Sequence, residues 1–407
     1  MEKEVLTAKY QSVSLNVTAN RIDSYRRKDE IQNTVRVYDN GKIGIAGSLG
    51  ELDENALTEE AKKALGYGIE YPCKLEAAVK AVDKSKEIVK LQDFIPAMQK
   101  LLDRLAKECP KFAVSNKITL HHHENSYKNS RGADLFSVTD YLEIALLFQN
   151  KGGGNLYDCY YGGGNITEYD EDSVVADCKK MYNAFYNPVD IEEGEYPVFL
   201  IPEDLFSTVG KHLCAPFYAS GGSLVSGRLG EKIFNEKLTC CNDKNPDTNP
   251  YACFFDDEGQ TAPDNYRQPL IKDGVLTNVL TCKGLSQSFN LPDAATGTAA
   301  YDGVPSFGYE GVWLKPTAKS ARELAPEKAV LIIISSGGDM TPDGHYAAPL
   351  QLSYLVENGE IVGRLPDISV SGDFFKLLGD DYLGTVEKPF FPSLPDSFMA
   401  CRMKVGK

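Results

Sequence analysis

Basic residues are scarce relative to acidic ones in this sequence. Its 43 Lys and Arg residues stand against 58 Asp and Glu, which gives a formal net charge of −15 at pH 7. Proteins that bind the nucleic-acid backbone need clustered positive charge, whereas the short basic run Arg26-Arg27-Lys28 is followed at once by Asp29-Glu30. The composition therefore argues against a general phosphate-binding surface and against direct contact with nucleic acid.

Long apolar runs are also missing. The longest uninterrupted apolar runs, residues 144–148 and 329–334, are far shorter than the roughly 20 residues of a membrane-spanning helix. The N-terminus, Met1-Glu2-Lys3-Glu4, is charged and lacks the apolar core of a secretory signal. We therefore expect a cytoplasmic protein that makes no contact with a membrane.

The cysteines and glycines form none of the familiar binding motifs. The ten cysteines show no C-x-x-C pair and no evident disulfide framework, which indicates reduced thiols. The glycine runs 152–154 and 162–164 match neither the phosphate loop nor the dinucleotide fingerprint, because no Lys-Ser/Thr follows and the spacing is wrong. Glycines among aromatic residues more often mark bends and bulges in a curved sheet.

The apolar periodicity predicts an α+β fold of two domains. In the first half, alternating residues predict strands within 5–50, 111–124 and 136–148, with a polar turn at 125–132. Helices are predicted from Thr58 to Gly66, from Asp93 to Cys109 and over 172–185. We predict an N-terminal sheet-plus-helices domain over 1–188 and a mostly antiparallel, barrel-like β domain over 189–407.

The second half opens with a strand at 196–201 and a helix from Pro202 to Leu213, after which strands and turns dominate. Asp273-Gly274 and Asn358-Gly359 each predict a hairpin, as Asn40-Gly41 does in the first half, because tight two-residue turns need positive φ. The continuous apolar run 329–334 is typical of a central strand that is buried on both faces.

Three groups of residues are candidates for chemistry. On a strand, His121 and His123 share one face and could hold zinc or copper, but a stable site usually needs three or four ligands, so a polar strand is the favoured interpretation. His212 and Cys214 could form a base and a nucleophile, although their spacing points them to different faces of a helix.

The acidic run Asp256-Asp257-Glu258, next to Gly259, is the third candidate. It could supply a general base or bind a hard cation. A solvated loop beside a turn-forming glycine is the more common explanation of such a run, and we favour it here.

Segments along nearly the whole chain resemble the TldD/PmbA family, whose members are also called modulators of DNA gyrase. The second-half motifs are the more specific, among them Gly227-Arg228-Leu229-Gly230 and Phe255-Asp256-Asp257-Glu258-Gly259. The chain begins directly at its predicted strands, without the leading helix that is usual in the family. The resembling segments are 35–38, 40–44, 129–132, 227–234, 236–239, 255–259, 270–276, 337–338, 341–344, 355–361 and 368–372.

The resemblance implies one of two kinds of protein. TldD-like members carry H-E-x-x-x-H on a helix, where two His and a later Cys would hold zinc; PmbA-like (TldE) members lack this motif and pair with the first kind. The corresponding segment, 210–218, contains only His212, no Glu, and Pro216, which we expect to interrupt the helix. The chain thus resembles the PmbA/TldE kind, for which no zinc is expected except on a TldD-like partner.

The resemblance implies a non-catalytic subunit of a zinc metallopeptidase that helps to bind and present unfolded peptides for proteolysis or peptide maturation. No residue is assigned a catalytic role. The alternatives are an independent hydrolase and a binding protein that acts on DNA gyrase, and a homodimer is an open possibility when the chain is alone. The predicted peptide-binding or inner-surface residues are Gly221, Gly222, Arg228, Thr341 and His345.

Overall fold

The computed structural model describes residues 1–153 and 155–407, and it has a mixed α+β architecture as the sequence predicts. The strands are β1 (Glu2–Thr18), β2 (Arg21–Asp39), β3 (Lys42–Leu49), β4 (Val79–Lys84), β5 (Phe112–Asn129), β6 (Asp134–Asn150), β7 (Cys159–Ile166), β8 (Gly194–Leu200), β9 (Cys240–Asp243), β10 (Arg267–Lys272), β11 (Val275–Leu276), β12 (Gly297–Thr298), β13 (Ser306–Phe307), β14 (Val312–Leu314), β15 (Lys328–Ser335), β16 (Asp339–Met340), β17 (His345–Glu357), β18 (Glu360–Arg364), β19 (Ile368–Asp373), β20 (Tyr382–Glu387) and β21 (Ser397–Gly406). The helices are α1 (Glu54–Ala64), α2 (Leu91–Glu108), α3 (Glu171–Phe185), α4 (Pro202–Val209), α5 (Ala215–Ala219), α6 (Lys283–Phe289), α7 (Ala321–Leu324) and α8 (Phe374–Leu377), with 3-10 turns at Leu65–Tyr67 and Gly210–Leu213.

The first half is built on one large sheet. Its strand order is β3-β2-β1-β5-β6-β4, β7 also pairs with β6, and every pairing except β4 with β6 is antiparallel. Helices α2 and α3 pack on one face, where Leu15, Ile118 and Leu142 join their buried side chains in a single core. Because side chains alternate along a strand, the opposite face carries a different set of residues, and these face the second half.

The second half contains a closed five-stranded barrel. The strands follow one another around it in the order β15-β8-β21-β19-β17, and β17 pairs back to β15. The pairing of β8 with β15 is parallel and the others are antiparallel. Val330 and Ile332 of β15 point into one core and Ala329 and Leu331 into the other. Burial on both faces explains the continuous apolar run, so the predicted central strand is confirmed.

The predicted domain boundary after residue 188 falls between α3 and the first barrel strand, β8. The first-half sheet is built from strands that end before this point, and the barrel strands all follow it. The division into two domains at this position stays a prediction. None of the described helices is long and apolar enough to cross a membrane.

The three two-residue hairpin turns are confirmed. The φ angles are 49° and 74° at Asn40 and Gly41, 49° and 81° at Asp273 and Gly274, and 53° and 83° at Asn358 and Gly359. Gly162, Gly163 and Gly164 lie in β7, where the register with β6 shifts, as expected for glycines at a bulge. Gly154, the last glycine of the first run, lies outside the described residues.

Some predicted boundaries are wrong for identifiable reasons. Helix α1 begins at Glu54, because the Asp53 carboxylate caps it by accepting the Ala56 N–H at 3.0 Å; the Thr58 hydroxyl instead donates to the Glu54 carbonyl. The chain continues past Gly66 as a 3-10 turn. The predicted turn at 125–132 is shorter, because residues 125–128 still pair with β1 on one side and β6 on the other, and Asn129 still pairs with β1.

A buried ion pair lies where the two halves meet. Glu4 and Arg36 are 0% and 1% exposed, and their Oε1 and Nη1 atoms are 2.9 Å apart. The same Nη1 donates to the main-chain carbonyl of Asp257 in the second half. The hydroxyls of Tyr38 and Tyr127 both donate to the Glu4 carboxylate at 2.8 Å. The charge of Glu4 is therefore fully partnered, and Arg36 ties the first-half sheet to the loop that contains Asp257.

The acidic run is buried, so the solvated-loop interpretation is wrong. Asp256 and Glu258 are each 2% exposed. The Asp256 carboxylate accepts the N–H groups of Glu258 and Gly297, while Glu258 accepts the hydroxyl of Tyr71 at 2.6 Å and the N–H of Lys283 at 2.9 Å. Burial, and then the nearby carboxylate of Glu258, raises the pKa of Asp256. These carboxylates accept hydrogen bonds from main-chain N–H groups and from the Tyr71 hydroxyl rather than from solvent.

Replacing Arg36 tests the importance of this junction. Arg36→Met leaves the buried Glu4 charge without its cation, and we expect the free energy of unfolding to fall by about 3–5 kcal/mol in urea denaturation. The double variant Glu4→Gln/Arg36→Met should recover part of this loss. Lys62→Met, which removes an exposed pair with Glu59, is the matched control and should cost less than about 1 kcal/mol. Equal losses for Arg36→Met and Lys62→Met would contradict the proposed role.

Candidate functional site

The segment that corresponds to the zinc-binding helix is split into short pieces. Helix α4 ends at Val209, a 3-10 turn follows, and Cys214 is extended, with φ −95° and ψ 132°. The break is held by Leu280, whose N–H donates to the Leu213 carbonyl and whose carbonyl accepts the Ala215 N–H. The predicted helix to Leu213 is thus too long, and the interruption lies at Cys214. Pro216 lies in the first turn of α5, where its missing N–H costs nothing.

His212 is enclosed within this segment. Its side chain is 3% exposed, and its ring centroid lies 5.3 Å from that of Phe217 and 5.5 Å from that of Phe374. Nδ1 accepts the main-chain N–H of Leu224 at 3.1 Å, and burial lowers the pKa of the imidazole. His212 is therefore a neutral ring that is packed among aromatic side chains and holds the following loop in place.

Cys214 does not pair with His212. Its thiol donates to the Gly210 carbonyl at 3.5 Å, and burial raises its pKa to about 11. A reactive cysteine needs a lowered pKa and a neighbouring base, and here the imidazole Nδ1 is already engaged by Leu224. The geometry gives no support for a nucleophile and base at these two positions.

The residues of this segment do not fit a zinc ion. A zinc site takes three or four nitrogen, sulfur or oxygen donors, and 210–219 offers one imidazole with an occupied Nδ1 and one protonated thiol. Across residues 1–153 and 155–407, no three His, Cys, Asp or Glu side chains are grouped so as to hold a metal. We therefore derive no chemical step through zinc in this chain.

The predicted inner-surface residues of the 220s lie beside the enclosed His212. Gly221 and Gly222 form the exposed turn after α5, and Gly221 has φ +80°. A Cβ atom on Gly222 would come within 2.4 Å of the Phe217 ring, so this close approach requires glycine. Arg228 is half-buried; its guanidinium lies 5.5 Å from the ring centroid of Phe375.

Thr341 and His345 bracket the turn that leads into β17. Both are exposed, and the Thr341 hydroxyl accepts the His345 N–H at 3.0 Å. Gly344, between them, faces Leu224 and Phe374, which a Cβ atom would meet at 3.1 and 3.3 Å. The structure therefore brings all five predicted residues around one aromatic cluster, which we call the aromatic patch (His212, Phe217, Phe374 and Phe375). Their role in peptide binding stays a prediction.

The histidine cluster belongs to a second group, which we call the aromatic wall. Its members lie on the face of the first-half sheet that is turned toward the second half. The His121 ring stacks on Tyr141 at 4.4 Å, and His123 makes edge contacts with Tyr141 and Tyr10 at 5.3 and 4.9 Å. Tyr251 of the second half lies 6.3 Å from Tyr141. The wall thus comprises Tyr10, His121, His123 and Tyr141, and Tyr251 faces it from the second half.

The predicted shared face of His121 and His123 is confirmed, since their ring centroids are 5.8 Å apart. His121 Nε2 is 3.2 Å from the Glu143 carboxylate, and His122 points to the opposite face, 2.8 Å from Asp140 and 3.0 Å from Glu124. The tyrosines of the wall are single residues at distant positions with no motif around them. Sequence reasoning missed them because only the fold brings them together.

A cleft of about 250 Å³ lies where the end of β7 meets the barrel. Its lining includes Glu203, Asp243, Trp313 and Asp396. Asp396 is half-buried, and this burial raises its pKa to about 6. The cleft therefore combines carboxylates with an aromatic ring, although the sequence around these residues shows no recognisable motif.

The imidazole of His123 should make stability depend on pH. Burial, and then the charge of His121, lowers the pKa of His123 from 6.5 to about 4. Between these values the unfolded chain binds the proton and the folded chain does not, so stability should fall by roughly 2 kcal/mol as the pH falls from 6.5 to 4. The measurement is urea unfolding at a series of pH values.

His123→Phe is the matched variant, because it keeps an aromatic ring and should flatten this part of the pH profile. Burial alone would lower the pKa of His122, but its bonds to Glu124 and Asp140 raise it. That group therefore stabilises the fold below pH 6.5, and its contribution is lost as the pH rises through the raised pKa. Parallel profiles for wild type and His123→Phe would contradict the predicted role of His123.

Comparison with known proteins places these features in a family. The family model described as the PmbA/TldA metallopeptidase C-terminal domain matches residues 193–405. A protein named "Metalloprotease" from Archaeoglobus fulgidus is 25% identical over 397 residues, covering 92% of this chain and 89% of that protein. A zinc metalloprotease TldD homolog from Saccharolobus solfataricus is 25% identical over 219 residues. The match covers 52% of this chain and 48% of that protein.

Solved structures share the fold. A proposed modulator of a DNA gyrase from Thermotoga maritima has a TM-score of 0.77 at 18% identity, with 100% of this chain and 96% of the other covered. TldE from Thermococcus kodakarensis has a TM-score of 0.75 at 17% identity. The match covers 100% of this chain and 97% of that chain. Because the family model spans more than half of the sequence, this chain belongs to the PmbA/TldD family of metallopeptidase-related proteins.

Proposed function

We propose that this chain is a non-catalytic, PmbA/TldE-like subunit of a TldD/TldE-type zinc metallopeptidase. In this role it helps to bind and present unfolded peptides, and a TldD-like partner supplies the zinc. The main support for the proposal is the conformation of segment 210–219, which corresponds to the zinc-binding helix. There the helix is interrupted at Cys214, and the one imidazole, His212, is buried with its Nδ1 committed to Leu224.

Peptide presentation is supported by two surfaces. The aromatic patch has an exposed rim of Gly221, Gly222, Thr341 and His345, where glycines let a chain approach the backbone closely. The aromatic wall offers flat rings between the two halves, and such rings contact side chains of many kinds. Surfaces that recognise peptide through backbone and ring contacts tolerate varied sequences, which suits an unfolded substrate.

The proposal places the protein in the cytoplasm. All ten cysteines are free thiols, which fits a reducing compartment. The rival hydrolase based on Cys214 and His212 finds no support in their separate hydrogen bonds. No specific feature of the described residues favours a regulatory interaction with DNA gyrase. The net charge of −15 disfavours binding to DNA itself.

Reconstitution with a partner tests the proposed role. The purified chain should not cleave a reduced, alkylated unfolded polypeptide, and a TldD-like protein with an intact H-E-x-x-x-H motif should cleave it at least about tenfold faster when this chain is added. Cys214→Ala should support the same stimulation, because its thiol takes no part. Cleavage by this chain alone, lost in Cys214→Ala or His212→Ala, would establish the hydrolase instead.

The predicted rim can be tested by binding. The double variant Arg228→Ala/His345→Ala should weaken binding of a fluorescent unfolded peptide by about tenfold, corresponding to about 1.4 kcal/mol, because it removes a cation and a ring from the rim. Lys232→Ala is the control: it removes one exposed positive charge nearby, which is paired with Glu236. Unchanged affinity in the double variant, measured by fluorescence anisotropy, would exclude these residues from the peptide site.

A further inference from the structure

A small cavity lies between the large sheet and the second half of the chain. It measures about 100 Å³. Its floor belongs to the sheet, where Gln32, Ala8 and Asn125 lie side by side on β2, β1 and β5. Asp257 and Tyr301 of the second half line the other side. The predicted rim residues of the aromatic patch do not line this cavity, so it is separate from the proposed peptide surface.

Arg36 lines the cavity with hydrogen-bonding capacity that the protein does not use. Its side chain is 1% exposed, and its Nη1 donates to the Glu4 carboxylate and to the Asp257 carbonyl. Among the described residues, Nε has no hydrogen-bond partner. A buried donor that is left unpaired costs about 1–3 kcal/mol and calls for an explanation. The Nε edge of a guanidinium is one that binds carboxylates, so the unpaired Nε indicates a ligand that carries a carboxylate.

Asp257 lines the same cavity with a negative charge. Its Oδ2 accepts the Ala299 N–H at 2.7 Å, and among the described residues Oδ1 accepts no hydrogen bond. Arg36 forms its ion pair with Glu4 and not with the Asp257 carboxylate. Burial raises the pKa of Asp257, as expected for a carboxylate that has too few donors. The cavity therefore holds an anion and a cationic group that do not pair with each other.

Charge balance selects the class of ligand. Glu4 already neutralises Arg36, so a simple anion in the cavity would be repelled by Asp257. A simple cation would pair with Asp257 but would leave the Arg36 Nε without an acceptor. A zwitterion satisfies both groups, because its ammonium can donate to Asp257 while its carboxylate accepts from Arg36.

The size of the cavity limits the ligand further. Since a cavity of about 150 Å³ accommodates benzene, a cavity of this size suits roughly four to six non-hydrogen atoms. Asn125 and Tyr10 also line it, and neither side chain has a hydrogen-bond partner among the described residues. Burial, and then the charge of Asp257, raises the pKa of Tyr10 to about 12, so its hydroxyl remains a donor at neutral pH. Glycine and alanine fit these limits of size and polarity.

We propose that this cavity binds a small free α-amino acid such as glycine or alanine. The ligand carboxylate accepts from Arg36 Nε, the ligand ammonium donates to Asp257 Oδ1, and the Asn125 amide bonds to the ligand from the floor. A ligand held in this way contacts both halves of the molecule and stabilises their junction. The inference does not depend on the proposed subunit role, since binding is measured on this chain alone.

Calorimetric titration with glycine and with its separate charged groups tests the class of ligand. The purified chain should bind glycine at one site with a dissociation constant of about 1 mM or below, and glycine should raise the Tm. Acetate lacks the ammonium and methylamine lacks the carboxylate, so each should bind at least about tenfold more weakly. Absence of saturable binding at about 20 mM glycine, or equal affinity for glycine and acetate, would overturn the proposal.

Asp257→Asn tests the contact with the ammonium. The variant removes the charge but keeps a side-chain oxygen for the Ala299 N–H and the main-chain carbonyl for Arg36. The dissociation constant for glycine should rise about tenfold or more, while acetate should bind no more weakly than before. Asp264→Asn is the matched control, because this exposed carboxylate is paired with Lys272, and it should change the constant by less than about twofold.

Ala8→Leu tests the location of the site. The larger side chain fills the cavity from its floor and removes no charged group, so glycine binding should be lost while urea unfolding remains cooperative. Wild-type affinity for glycine in folded Ala8→Leu would place the ligand elsewhere and overturn the proposal. Unchanged affinity in Asp257→Asn would do the same, and that variant decides the question if Ala8→Leu does not fold.

Discussion

The two halves of the molecule depend on one buried charge and its partners. Glu4 lies on the first strand, where Arg36, Tyr38 and Tyr127 all donate to its carboxylate. Burying an ion pair is costly, and the cost is offset only when the remaining hydrogen-bonding capacity is satisfied. Arg36 also donates to the carbonyl of Asp257, so the same guanidinium that neutralises Glu4 attaches the sheet to the second half.

The acidic run Asp256-Asp257-Glu258 lies at this junction between the two halves. Asp256 and Glu258 lie directly beside Asp257, and they accept the main-chain N–H groups of Gly297 and Lys283 and the hydroxyl of Tyr71. The bond between Tyr71 and Glu258 joins two chain segments that are 187 residues apart. The run therefore stabilises the assembly of the two halves. A family motif that resembles a set of catalytic carboxylates here has a structural role.

Local features of the chain could be predicted, whereas features that depend on distant partners could not. The turns at Asp273-Gly274 and Asn358-Gly359 and the β15 apolar run are encoded within a few residues, and all were predicted correctly. The burial of Asp256 was not, because one of its partners, Gly297, lies outside its own segment. The wall tyrosines carry no local signal, and the break at Cys214 depends on a bridge to Leu280. The candidate site was located through family resemblance, and its geometry came only from the structure.

The central claim is that segment 210–219 is closed to zinc, and a calorimetric zinc titration of the purified chain tests it most directly. The account predicts no saturable binding with one ion per chain, and traces for wild type and His212→Ala that coincide. Stoichiometric zinc binding with a dissociation constant below about 1 µM that is abolished by His212→Ala would contradict it.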